Sequence, residues 1–132
     1  MSIFIDTSAF LAVINADDIA HPNARRRWQQ LIESGQALFC NNYVLVETIA
    51  VLQNRIGMEA VITFQNDVLP VLTILWVDES LHLRAVSALL TAKRRRLSLV
   101  DCTSFESMRQ VGLQQAFTYD AHFEEQGFEI LA

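Results

Sequence analysis

At 132 residues the chain has the commonest size of one domain, and no stretch reads as a linker, so a single domain over residues 1–132 is expected. A net charge of −5 excludes a protein that grips a polyanion through bulk positive charge. Cys40 and Cys102 stand alone, with no C-x-x-C spacing and no set of histidines, which excludes a disulfide scaffold or a structural zinc site and leaves two core thiols.

The apolar fraction of 52% against 19% charged residues implies more hydrophobic surface than one small domain covers, so a homodimer or a protein partner is expected. No segment approaches the roughly 20 apolar residues of a membrane span. The apolar run Ile3-Phe4-Ile5 lacks the cationic lead of a secretion signal. A cytoplasmic chain without membrane association is expected.

In chain order, residues 3–6 read as a short strand and 7–15 as a helix capped by the hydroxyls of Thr7 and Ser8. A second helix over 21–33 has Pro22 in its first turn and Gly35 beyond its end. Residues 37–40 are the next strand. Asn41 or Asn42 caps a helix to Arg55, stopped by Gly57, and 58–67 continue as another helix. The β-branched run 71–77 predicts a buried strand, 78–93 a helix, and 101–111 a further helix ended by Gly112. Strands at 116–119 and 128–131 flank a helical turn over 121–126 that closes at Gly127. Strands separated by helices require crossover connections, hence an α/β fold with a mainly parallel sheet of about five strands covered by helices on both faces.

Three apolar runs end on an aspartate, at Asp6, Asp101 and Asp120, and Glu47 is the only charge in the apolar run from Tyr43 to Leu52. Carboxylates at the edge of a core lose hydration and need a compensating cation. With no lysine or arginine close to them in sequence, a hard divalent ion held by oxygen ligands is the simplest compensation. In open parallel sheets ligands bind beyond the carboxyl ends of the strands, which is where Asp6 and Asp120 fall. Asp101 opens a helix and Glu47 projects from the first half of another. Singly, each aspartate has an ordinary explanation as a turn or helix cap; mid-helix Glu47 has none.

The segments Phe4-Ile5-Asp6-Thr7-Ser8-Ala9, Glu47 within its apolar helix, Ser98-Leu99-Val100-Asp101-Cys102-Thr103-Ser104-Phe105 and Thr118-Tyr119-Asp120-Ala121-His122-Phe123 occur in that order across nearly the whole chain. Together they resemble PIN-domain nucleases, and especially the toxin component of bacterial VapBC toxin–antitoxin pairs. The resemblance implies a three-layer α/β/α sandwich and a metal-dependent endoribonuclease that leaves 5′-phosphate and 3′-hydroxyl ends, using one or two Mg2+ or Mn2+ ions. It implies Asp6, Glu47, Asp101 and Asp120 as the catalytic and metal-binding acids, with Thr7, Ser8, Ser104 and Thr118 as supporting hydroxyls. Asp6 and Asp101 are the preferred direct ligands. Glu47 and Asp120 bind a second ion or position the attacking water. RNA is the implied substrate and a cognate antitoxin the implied partner.

Nine of the ten basic residues are arginine, concentrated at Arg25-Arg26-Arg27 and Lys93-Arg94-Arg95-Arg96. Lys93, Arg94, Arg95 and Arg96 either contact RNA or form a solvated helix end that complements the macrodipole. The first cluster reads as a solvated face or an antitoxin edge. His122, without Cys or His partners nearby, reads as a packing or surface residue. Trp28 and Trp76 read as core, and Val61, Ile62, Phe64 and Val68 with Leu83, Val86 and Leu90 as a possible dimer face. A housekeeping RNA-processing nuclease without an antitoxin and a non-catalytic scaffold binding RNA or protein are the alternative functions. An aspartate phosphatase wants a second Asp where Ser8 stands.

Overall fold

A computed structural model describes all 132 residues. The central strand β1 (Ser2–Ile5) carries Ile3, Phe4 and Ile5, all fully buried, and is followed by α1 (Thr7–Ile14) and α2 (His21–Ser34). Then come β2 (Ala37–Asn41), α3 (Asn42–Arg55), α4 (Met58–Thr63), β3 (Leu72–Leu75) and α5 (Glu79–Ala92). The chain closes with α6 (Leu99–Val111), β4 (Gln115–Phe117), α7 (His122–Glu125) and β5 (Glu129–Leu131).

All neighbouring strands are parallel, in the order β3-β2-β1-β4-β5. Ile5 pairs with Phe117 and Phe4 with both Phe39 and Ala116. The chain builds one half of the sheet outward from β1 and then returns to the other side of β1 for β4. This reversal puts the topological switch, and so the ligand crevice of a doubly wound sheet, at the carboxyl ends of β1 and β4. No helix is long and apolar enough to cross a membrane.

Local chemistry explains the element ends. Asn41 caps α3 by accepting from the Val44 amide at 2.8 Å, and Asp78 caps α5 through the Leu81 amide at 2.8 Å. Gly35 and Gly112 end α2 and α6 at φ of 69° and 76°, a left-handed conformation that favours glycine.

Several elements differ from the sequence expectation. The helix expected over 58–67 stops at Thr63 and widens into a π turn, Phe64–Val68, before a 3-10 turn at Leu69–Val71 that contains Pro70. Proline cannot continue the helix, and the wider turn buries both Phe64 and Val68. These two residues are therefore core, not part of a dimer face. The strand expected to be buried over 71–77 shrinks to Leu72–Leu75 at the sheet edge, half-buried with Thr73 exposed. Trp76, expected in the core, is 73% exposed just beyond it. A continuous apolar run marks a strand without telling a central position from an edge. Helix α6 begins two residues early, at Leu99, because Ser98 rather than Asp101 is its cap. Strand β4 ends at Phe117, leaving Thr118 to Asp120 as a connection beyond the sheet.

Candidate active site

Asp6 follows β1 directly and caps α1. It is 4% exposed, and its backbone N–H donates to the Phe117 carbonyl at 3.1 Å, which ties it to the end of β4. Its Oδ2 accepts from the hydroxyls of Ser8 at 2.8 Å and Thr118 at 3.0 Å, and from the Ser8 amide at 3.4 Å. The network continues outward. Ser8 Oγ accepts from the Tyr119 amide at 2.9 Å, and Thr118 Oγ1 accepts from the Asp120 amide at 3.0 Å. Ser8 and Thr118 thus fix the 118–120 connection against Asp6.

Asp101 is 8% exposed at the third position of α6, in a reciprocal cap with Ser98. Its Oδ2 accepts from the Ser98 amide at 3.0 Å, while its own amide donates to Ser98 Oγ at 3.0 Å. Asp120 Oδ1 accepts from the His122 amide at 2.9 Å, a local turn that swings the His122 ring over the acids. His122 Nδ1 lies 2.9 Å from Asp120 Oδ1 and 3.9 Å from Asp101 Oδ2. It is shielded from solvent and makes no aligned hydrogen bond, so its contact with the acids is the ion-pair approach alone.

Each aspartate commits one oxygen to the fold and leaves the other unbonded: Oδ1 of Asp6, Oδ1 of Asp101 and Oδ2 of Asp120. Burial pushes the Asp6 carboxyl up to about 6, with the charges of Asp101 and Asp120 adding to the rise against the Ser8 and Thr118 hydroxyls. Asp101 is also raised, first by burial and then by Asp120, against the opposing Ser98 cap and His122. Asp101, Asp120 and His122 offer donor atoms all within 4.8 Å of one another. Mutually repelling acids with free oxygens and an orphaned imidazole nitrogen fit a divalent cation.

The other expected residues are placed less directly. Glu47 is half-buried on α3, makes no hydrogen bond or ion pair, and borders an apolar recess with Tyr43, Val46 and Val100. It lies outside the tight group of donors, as does Asp6, which feels Asp101 and Asp120 through their charge. Thr7 does not touch an acid; its hydroxyl accepts from Thr48 at 3.2 Å, joining α1 to α3 one residue from Glu47. Ser104 lies one turn beyond Asp101 on the same face of α6, fully buried with its hydroxyl unpartnered. Lys93 is the left-handed cap of α5 at φ 52°, and Arg94 pairs with Glu125 at 2.8 Å. Arg95 and Arg96 are exposed in the turn that leads to Ser98. His122, read from the sequence as a packing or surface residue, is the side chain that the fold adds to the acids. Its signal was the spacing Asp120-Ala121-His122, in which a turn-forming aspartate fixes the residue two positions on.

The PIN domain pattern matches residues 3–129, and the chain belongs to the PIN-domain family. It is similar to the 23S rRNA-specific endonuclease VapC20 of Mycobacterium tuberculosis, with 35% identity over 127 residues that make up 96% of this chain and 95% of that one. The crystal structure of M. tuberculosis VapC20, a sarcin-ricin loop cleaving toxin, aligns with a TM-score of 0.83 at 34% identity, covering 96% of this chain and 95% of that one. VapBC2 from Rickettsia felis, bound to a promoter DNA fragment, shares the fold at a TM-score of 0.72 and 13% identity, covering 99% of this chain and 98% of that one.

Proposed function

We propose that this chain is an endoribonuclease toxin that cleaves RNA phosphodiester bonds with the help of one or two Mg2+ or Mn2+ ions. The observation that carries the reading is the convergence of Asp101 and Asp120 with His122, with buried Asp6 at the end of β1 feeling the charge of both acids and each aspartate keeping one oxygen free. Asp6 Oδ1, Asp101 Oδ1 and Asp120 Oδ2 are the assigned cation ligands. A divalent ion held there supplies positive charge opposite the reacting phosphate and eases deprotonation of water. Ser8 and Thr118 hold Asp6 and the 118–120 connection in place, which keeps the acids converged without a large rearrangement on binding. Glu47, unbonded in the recess it shares with Val100 next to Asp101 in the chain, is the assigned acceptor of the attacking water's proton or a ligand of a second ion. The in-line attack leaves 5′-phosphate and 3′-hydroxyl ends.

Ribosomal RNA is the first substrate class to test, because the relative at 35% identity is named for 23S rRNA cleavage. Purified protein incubated with ribosomes and Mg2+ should cut at a defined position and stop when EDTA is added. Cleavage that survives EDTA would end the metal-dependent reading. We assign an antitoxin as the natural restraint on this activity; a housekeeping nuclease would lack an adjacent small reading frame for one. A binding scaffold is disfavoured, since it gains nothing from crowding acids that repel.

Exposed Arg95 and Arg96 precede the helix that carries Asp101 and are assigned to phosphate contacts. Replacing both with alanine should weaken RNA binding by about tenfold and reduce the salt dependence by about two phosphate contacts. An unchanged salt slope in a filter-binding titration would remove them from the interface.

Leu83 and Leu90, both exposed, and half-buried Val86 form a stripe along α5 at helical spacing and are assigned to a homodimer face. The double substitution Leu83→Lys and Leu90→Lys should convert a dimer to a monomer by light scattering without lowering the monomer's helix content. Retained dimerisation would place the interface elsewhere.

A further inference from the structure

The geometry points to His122 as a nitrogen ligand of the cation site, one that makes the site prefer Mn2+ over Mg2+. The inference rests on the reading of the three aspartates as cation ligands and adds a member of different chemistry. Donors about 2.1 Å from an octahedral ion lie about 3.0 Å apart when adjacent and about 4.2 Å apart when opposite. One carboxylate oxygen each from Asp101 and Asp120 and a ring nitrogen of His122 all lie within 4.8 Å of one another, close to the spread of ligands around one ion.

The ring nitrogen is also the right kind of orphan. Nδ1 is buried and lacks a hydrogen-bond partner, although two carboxylates are close by. Facing two carboxylates without an aligned hydrogen bond, the neutral ring keeps its Nδ1 lone pair free for a ligand. The His122 side chain is 17% exposed, and the bond from its own amide to Asp120 Oδ1 anchors its backbone, so the ring reaches the cluster from a fixed base. Phe123, the next residue, is fully buried and packs edge-on to Phe105 at 4.9 Å, which holds α7 against α6.

Ligand type decides the selectivity. Mg2+ and Mn2+ both take carboxylate and water oxygens, but Mn2+, at the weak end of the transition series, tolerates a nitrogen ligand that hard Mg2+ gains little from, so aspartates plus one imidazole discriminate where aspartates alone do so weakly. Mn2+ accepts the carboxylates and the nitrogen together.

The test uses metal-free full-length protein, with Mn2+ binding followed by the electron paramagnetic resonance of the free ion and Mg2+ binding by competition. His122→Asn and His122→Ala should each reduce the preference for Mn2+ over Mg2+ by on the order of tenfold, through weaker Mn2+ binding at nearly constant Mg2+ affinity. Melting in EDTA checks that both variants fold. Pulsed spectra of the wild-type Mn2+ complex should show coupling to a nitrogen nucleus, a readout that needs no variant. An unchanged preference in both variants, equal losses for both ions, or no nitrogen coupling in the wild type would overturn the assignment. Loss of both ions in Asp101→Asn alongside an unchanged preference in the His122 variants would leave the cation site standing and remove only His122 from it. A wild-type protein that binds neither ion would overturn both.

Discussion

Asp101→Asn should lower RNA cleavage by on the order of 10³-fold while leaving the metal-free fold nearly as stable as the wild type. The two effects separate because the carboxylate has two jobs on different oxygens. Oδ2 closes the reciprocal cap with Ser98 at 3.0 Å, a bond that the asparagine carbonyl reproduces. Oδ1 makes no bond within the chain, and replacing it with an amide nitrogen turns an acceptor of cations into a donor that repels them. Loss of the cap would cost about 1 kcal/mol of stability, and the asparagine avoids most of that loss. Initial rates on a defined RNA hairpin, with melting curves in EDTA beside them, measure both effects. Wild-type rates in the variant would place the chemistry away from the β1/β4 crevice.

Without metal, the protein should become more stable as pH falls from about 7 toward about 4, and Asp6→Asn should flatten that dependence. The folded Asp6 carboxyl, pushed up to about 6 first by burial, holds its proton more tightly than the unfolded chain does at 3.8. Above the folded value both states are ionised, and the folded state carries a desolvated anion beside Asp101 and Asp120. Below the unfolded value both are protonated, so the penalty is gone. Stability from this group is thus present at low pH and lost as pH rises through about 6. Raised Asp101 acts in the same direction.

The expected size for Asp6 is on the order of 2 kcal/mol near neutral pH, which raises the Tm of the metal-free Asn variant by several degrees over the wild type. The two Tm values should converge near pH 4. Saturating Mn2+ should stabilise the wild type and leave Asp6→Asn nearly unmoved. Parallel pH profiles in the two proteins would contradict the crowding on which the site depends.

The sheet was legible because its signals are local. Short apolar runs, the cap at Asn41 and glycine stops such as Gly35 and Gly112 define crossover units, and crossovers imply parallel pairing. What the sequence did not carry was lateral position. The 71–77 run is apolar enough for a central strand, yet the strand order sends it to the edge and leaves Trp76 in solvent.

The site divides along the same line. Asp6 and Asp120 could be expected to meet, since both follow strands and ligands gather at strand ends. The hydroxyl network of Ser8 and Thr118 follows from residues beside them in the chain. Glu47 is different: its helix is legible, but its distance from the aspartates depends on how α3 packs against α1 and α6, which no local pattern encodes. His122 reads as a packing or surface residue because its partners are acids rather than other metal-binding nitrogens. A two-residue spacing reveals its place only once the Asp120 turn is known.

The most direct measurement is the anomalous scattering of a crystal grown with saturating Mn2+. A peak is expected in the crevice at about 2.2 Å from the free oxygens of at least two of Asp6, Asp101 and Asp120. A well-ordered crevice with no anomalous peak, or a peak ligated by other residues, would contradict that expectation.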